Sequence, residues 1–155
     1  MRKYFKQAEN LPGSAPGIEH DEITNLPGET GKVFVSCIDY GADQVMLNEI
    51  DNIEDFINHH RPEWTNVRWI NVDGLSDKHV IQTIAAKYGL HPLAIEDMFQ
   101  QTQRPKIEAY GGDDSEFIAR LFIVTHALYI SNGNLQHDQV SIFLGHKTVL
   151  TFQEN

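Results

Sequence analysis

Apolar and polar positions change period several times along this chain, and each change marks an element. Val33-Phe34-Val35-Ser36-Cys37-Ile38 is a short apolar run that predicts a strand. Gly41-Ala42-Asp43 makes a turn, and residues 44–49 a second strand. Asn52 is placed to cap a short helix, with Glu54 and Asp55 in its first turn, where the helix dipole favours acids. Ile53, Phe56, Ile57 and His60 share its inner face, and Pro62 ends it. Val67-Arg68-Trp69-Ile70-Asn71-Val72 predicts a third strand, broken by Asp73-Gly74. Val80, Ile81, Ile84, Ala85 and Tyr88 fall at helical spacing and predict a helix over 77–88. Gly89 supplies its left-handed stop and Leu90 the apolar contact that follows. Pro92 suits the first position of another helix, running to Gln100.

Beyond Arg104-Pro105-Lys106 the pattern turns extended. Residues 107–110 predict a strand, Gly111-Gly112-Asp113-Asp114 a turn, and residues 116–125 a long strand that can continue through Tyr129-Ile130. Asn132-Gly133 is a hairpin signal. Residues 138–144 and 148–152 form a last hairpin around Gly145-His146-Lys147. Strands mixed with helices, followed by hairpins, argue for a mixed parallel and antiparallel sheet flanked by helices, an α/β fold. Residues 1–31 carry Leu11-Pro12-Gly13 and Leu26-Pro27-Gly28 breakers and are expected to be a loosely ordered leader. Residues 32–155 are expected to be the folded domain.

Charge changes the picture more than overall composition does. With 22 acidic against 12 basic residues, the net charge of -10 disfavours nucleic acid and anionic lipid and leaves hard cations as better partners. The single cysteine, Cys37, lies in an apolar run, cannot form an internal disulfide, and fits a buried small apolar residue. The most apolar stretch, residues 117–125, is too short to span a bilayer and contains Arg120. The basic first residues lack the apolar core of a signal peptide. The eight histidines are scattered, His59-His60 are not an i, i+4 pair, and no HExxH, GxSxG, GxGxxG or Walker pattern is present. Asp73-Gly74-Leu75-Ser76-Asp77 reads as a turn with a helix cap, and the acids around Gly112 as an exposed turn.

The chemistry that remains is Glu96-Asp97. On a helix from Pro92 to Gln100, Ile95, Met98 and Phe99 gather with Pro92 on a core side. Leu93, Asp97 and Gln100 are expected to project the opposite way, with Glu96 on the flank. Adjacent helix positions diverge by about 100°. Two neighbouring carboxylates therefore do not form an isolated pincer, and they imply an incomplete site or one finished by a second chain. A solvated helix face is the ordinary alternative for such acids.

Three ordered stretches carry a resemblance. They are Trp69-Ile70-Asn71-Val72-Asp73-Gly74-Leu75; Gly89-Leu90-His91-Pro92-Leu93-Ala94-Ile95-Glu96-Asp97 with Gln103-Arg104-Pro105-Lys106-Ile107-Glu108; and Gln139-Val140-Ser141-Ile142-Phe143-Leu144 with Val149-Leu150-Thr151-Phe152-Gln153-Glu154. In order and spacing they resemble the N-terminal cytoplasmic domain of CorA-type magnesium/cobalt transporters. The resemblance implies an α/β/α sandwich on the cytoplasmic face of the inner membrane, in a homopentamer whose neighbouring subunits share divalent cations that hold the channel closed. It makes Glu96 and Asp97 the metal-binding carboxylates, completed by an adjacent subunit, and the domain a non-enzymatic sensor. The stalk helix, the membrane helices and the family's Gly-Met-Asn signature are missing, so contact with the membrane is expected only through those helices. The fragment is expected to be soluble, monomeric or weakly oligomeric, and to bind Mg2+ weakly. Co2+ or other divalent cations are alternative ligands, as in a ZntB-like zinc or a cobalt/nickel transporter. Hard oxygen donors and the lack of a Cys/His cluster favour magnesium. Readings outside the family are a protein-interaction module and a small carboxylate enzyme, the latter lacking any second carboxylate that sequence can place opposite the pair.

Overall fold

The computed structural model describes residues 32–100, 103–113 and 115–154. The expected leader lies outside the described residues. Ten elements follow in order: β1 (Phe34–Tyr40), β2 (Val45–Ile50), α1 (Ile53–Asn58), β3 (Val67–Asp73), α2 (Lys78–Tyr88), α3 (Pro92–Phe99), β4 (Lys106–Tyr110), β5 (Arg120–Ser131), β6 (Asn134–Leu144) and β7 (Thr148–Gln153). The strands form one seven-stranded sheet ordered β2-β1-β3-β7-β6-β5-β4. Two antiparallel blocks, β2-β1-β3 and β7-β6-β5-β4, meet at a single parallel pairing between β3 and β7. The expected mixed sheet with helices packed on it is the fold that forms.

That parallel seam explains the alternation in Trp69-Ile70-Asn71-Val72-Asp73. Ile70 and Val72 point into the core and are fully buried, as are Leu150 and Phe152 beside them on β7. The alternate residues point the other way and stitch the strands together. Trp69 Nε1 donates to Thr151 Oγ1 at 2.8 Å, Thr151 Oγ1 donates to Asn71 Oδ1 at 2.7 Å, and Gln153 Nε2 donates to Asp73 Oδ1 at 2.9 Å.

One face of the sheet carries Val35, Cys37, Ile70, Val72, Leu150, Phe152, Phe143, Phe122 and Val124 into a core completed by Ile53 of α1, Ile81, Ile84 and Ala85 of α2, and Ala94 and Met98 of α3. The described helices therefore supply one helical layer. The opposite face aligns Ile38, Trp69, Val149, Leu144 and Leu121 in a single cross-sheet row, of which Trp69, Leu144 and Leu121 remain exposed.

Local signals set the helix ends. Asn52 caps α1 through the Asp55 amide, and Asp77 caps α2 through the Val80 amide. Gly89 ends α2 at φ 58°, where a Cβ would be strained, and the Leu90 amide donates to the Ala85 carbonyl. Arg120 then donates through Nε and Nη2 to the Tyr88 carbonyl at 3.1 and 3.0 Å, a cation set against the negative helix end.

Strand β5 begins four residues later than its apolar pattern suggests. Residues 115–119 instead turn back across the end of α2, with the Ile118 amide donating to the Gly89 carbonyl and the Gly112 amide to the Phe117 carbonyl. Past Val124 and before Val140, β5 and β6 pair with each other and with no other described strand, forming a projecting two-stranded tongue.

An ion pair is built into the core. Asp39 is fully buried, and Arg68 donates to it through Nε at 2.8 Å and Nη2 at 2.7 Å. The Arg68 guanidinium also lies over the Phe56 ring. Cys37 beside them is fully buried, and burial, the largest effect, pushes its thiol up to about 11. A buried pair contributes little net stability, but removing one partner strands a buried charge. Asp39→Ala is therefore expected to cost about 3–5 kcal/mol in denaturant unfolding, and adding Arg68→Met is expected to recover much of that loss. Equal stability of the single and double variants would contradict this account.

Candidate cation site on helix α3

Helix α3 lies over β4 and is held near both of its ends. At its start His91 caps the helix, its Nδ1 accepting from the Leu93 amide at 3.2 Å. The His91 ring stacks on Tyr110 at 4.9 Å between centroids and meets the edge of Phe117. The sequence reading placed His91 at a helix start, and it stands there as a cap and ring platform.

Near the other end Lys106 Nζ lies 2.5 Å from Asp97 Oδ2 and 2.8 Å from a Glu108 carboxylate oxygen. The ammonium thus bridges a carboxylate of α3 and a carboxylate of β4. Gln103 Nε2 donates to Asp97 Oδ1 at 3.3 Å and to Gln100 Oε1 at 2.6 Å. Tyr110 donates to Glu108 Oε2 at 3.0 Å. From β6, Gln139 Oε1 accepts from the Gln103 amide and Gln139 Nε2 donates to the Met98 carbonyl. Lys106 Nζ also sits 5.9 Å from the Phe122 ring centroid, over the edge of the core.

This arrangement corrects the expected orientation of Asp97. Its side chain is 20% exposed and turns down toward β4 instead of away from the core. Ala94 and Met98, four residues apart, form the buried line of α3, while Pro92 is exposed. Asp97, three residues after Ala94, falls beside that line at the margin where the helix meets the sheet. The apolar pattern mistook the centre of the buried face because Pro92 was counted on it and Ala94 was not. Glu96 is half-buried on the flank, and Leu93 is exposed as expected. The carboxylates that converge are those of Asp97 and Glu108.

Lys106, Glu108 and Tyr110 were missed as site residues, although their signal is present in the alternation Lys106-Ile107-Glu108-Ala109-Tyr110. It places three polar residues on one side of a strand, and Ile107 on the other is 68% exposed. Their ionisation reflects the network. Burial opposes the Lys106 ammonium, but hydrogen bonds to Asp97 and Glu108 outweigh it and hold its pKa above the ordinary lysine range. Hydrogen bonding from Lys106, helped by Tyr110, holds the Glu108 carboxyl below its ordinary value. Burial and donation to Glu108 push the Tyr110 hydroxyl up to about 12.

Elsewhere, the structure brings His126 and His137 together across the β5–β6 tongue, ring centroids 5.2 Å apart. Among the described residues, no group of three or more His, Cys, Asp or Glu side chains is disposed to hold a metal ion. No described helix is long and apolar enough to cross a membrane.

Comparison with known proteins agrees with the fold. The family described as CorA-like Mg2+ transporter protein matches residues 64–155, which span the seam strands, α2, α3 and the whole Lys106 network. The chain belongs to this family of membrane transporters. It is 36% identical over 87 residues to the cobalt/magnesium transport protein CorA of Thermotoga maritima, covering 56% of this chain and 23% of that protein. It is 37% identical over 93 residues to the putative metal ion transporter YfjQ of Bacillus subtilis, covering 59% of this chain and 26% of that protein. The matched stretch thus spans about a quarter of these relatives' length. Among solved structures, the CorA magnesium transporter of Methanocaldococcus jannaschii superposes with a TM-score of 0.54 at 13% identity, over 81% of this chain and 34% of that one. Full-length CmaX superposes with a TM-score of 0.60 at 12% identity, over 82% and 37%. These two likenesses establish the fold.

The pKa directions yield a test of the bridge. Because Glu108 titrates below its ordinary value of 4.5, its contribution to stability is fully present above that value and is lost as pH falls through the depressed one. Carboxyl carbon shifts followed by NMR are expected to give Glu108 a pKa below 4.5 in the wild-type chain and to move it upward in Lys106→Gln. An unchanged Glu108 titration in the variant would exclude the bridge as its cause.

Proposed function

We propose that this chain is the cytoplasmic, Mg2+-sensing regulatory domain of a CorA-like transporter, a non-enzymatic module whose acidic surface takes up divalent cations and thereby biases gating. The observation that carries this reading is the position of Asp97. In a chain of the CorA-like family with net charge -10, its carboxylate stands at the rim of the helix layer, already engaged by a cation, the Lys106 ammonium. The donors this reading uses are the hard carboxylate oxygens of Asp97 and the flanking Glu96, while Glu108 is engaged by Lys106. Magnesium keeps several of its waters and commonly takes one or two carboxylates, so this donor set fits it better than it fits zinc.

Adjacent positions on a helix diverge by about 100°, so neighbouring subunits of a homopentamer would complete the coordination of an ion held at Glu96 or Asp97. Acidic faces brought together in the closed assembly repel one another, and a shared ion offsets that repulsion. Loss of the ion then favours separation. The Thermotoga maritima relative is a cobalt/magnesium transport protein, which keeps Co2+ as a second ligand of the same site.

The test is a Mg2+ titration of the chain read by backbone amide shifts. The expected result is a saturable set of shifts confined to residues 93–100 and 106–110, abolished by Asp97→Asn. Shifts spread evenly over the acidic turns around Asp43, Asp113 and Glu116 would indicate screening alone and overturn the reading. In the transporter that carries this domain, Asp97→Lys is expected to leave closure insensitive to Mg2+. Closure at wild-type ion levels would count against the mechanism.

A further inference from the structure

We propose that Lys106 is a built-in competitor for the cation at Asp97, a tethered ammonium that sets how much divalent ion is needed before the site fills; this rests on the sensing function proposed above. The geometry gives the Lys106 ammonium two partners at once. It contacts Asp97 on α3 at 2.5 Å and Glu108 on its own strand at 2.8 Å. A divalent ion that takes the Asp97 carboxylate removes one of these partners and leaves the other. Lys106 and Glu108 are two residues apart on one face of β4, so their pairing does not depend on α3. The displaced ammonium is therefore never left unpaired at the edge of the core, beside Phe122.

Glu108 acts as the holder of the displaced lysine, and Tyr110 orients it through the hydroxyl donated to Glu108 Oε2. Among the described residues, the other side chain hydrogen-bonded to Asp97 is neutral: Gln103 donates to its second oxygen, and Gln100 accepts from Gln103. In the network around Asp97, Lys106 is thus the group whose charge a metal ion must replace. A single positive charge at one carboxylate is a weak rival to a divalent ion, yet strong enough to postpone filling. Lys106 and Glu108 are positioning residues in this scheme, since each acts on the ion through the state of Asp97.

The two residues then have opposite effects, which a plain acidic patch would not produce. Neutralising Lys106 frees Asp97 and tightens Mg2+ binding. Neutralising Glu108 leaves Lys106 dependent on Asp97 alone and weakens it. With Lys106 already neutral, Glu108 has no lysine to hold, and its removal changes nothing.

The experiment is a double-mutant cycle on the intact chain, with apparent Mg2+ affinity read from the amide shifts of residues 93–100. Thermal unfolding of each variant verifies the fold. Lys106→Gln is expected to tighten binding about three- to tenfold and Glu108→Gln to weaken it about twofold or more, with the double variant matching Lys106→Gln. Arg104→Gln, which removes the same charge two residues away, controls for the general field and is expected to change affinity by less than about twofold.

Unchanged affinity in Lys106→Gln, with shifts still localised on α3, overturns the competitor role and leaves the sensing function standing. Equal tightening in Arg104→Gln overturns it in the same way, as a field effect. Weakening by Glu108→Gln in the Lys106→Gln background overturns the holder role, because Glu108 would then be a metal ligand. Absence of localised shifts in both the wild type and Lys106→Gln overturns the sensing function itself. Should Lys106→Gln unfold, Lys106→Met removes the same charge while keeping most of the apolar stem, takes its place in the cycle, and is read by the same outcomes.

Discussion

The parallel pairing of β3 with β7 is the join on which the rest of the domain depends. On either side of it the sheet is built from antiparallel pairings, and most of those can form between neighbours in sequence. This pairing cannot. It brings together strands about eighty residues apart and so closes the loop that contains α2, α3 and the β4–β6 hairpins. Its core side is sealed by Ile70, Val72, Leu150 and Phe152, and its outer side by hydrogen bonds linking Trp69, Asn71 and Asp73 to Thr151 and Gln153. Buried hydrophobic contact fixes that the strands meet. The directional bonds on the other face fix their register, since a slip of one residue would turn every side chain to the wrong side.

With the seam closed, α2 and α3 have one sheet face to lie on. The left-handed Gly89 between them and the Arg120 contact with the Tyr88 carbonyl fix the corner. Helix α3 is thereby laid along β4, with His91 against Tyr110 at one end and Asp97 against Lys106 at the other. A carboxylate held this way is partly desolvated and firmly oriented, unlike one on a free helix surface.

Much of this was readable in the residues. Periodicity, caps and turn chemistry located the elements because these signals are local: Asn52, Asp77 and Gly89 act within four residues of themselves, and Asn132-Gly133 closes its own hairpin. A parallel pairing was expected, but which strands form it was not readable, since the join depends on residues far apart in sequence. The orientation of Asp97 was not readable either. A small residue, Ala94, occupies the middle of the buried stripe of α3, and apolar weight alone shifts that stripe toward Pro92. The partner of Asp97 is nine residues away on a different element, so no local pattern pointed to Lys106. The early start expected for β5 failed because Phe117 and Ile118 are apolar for the sake of the α2–α3 corner, where they meet His91 and Gly89, and not for a strand.

The β5–β6 tongue has a mechanical consequence. Beyond its root it has no neighbour on either margin among the described strands, and Leu128, Ile130 and Leu135 stand largely in solvent. An unsupported ribbon of this kind borrows its order from the point where it is clamped. That point includes Gln139, whose side-chain amide donates to the Met98 carbonyl in the last turn of α3 and accepts from the Gln103 amide beyond it. Tongue and helix therefore share a fulcrum: leverage applied to the tip is delivered to the same turn of backbone that aims the Asp97 carboxylate.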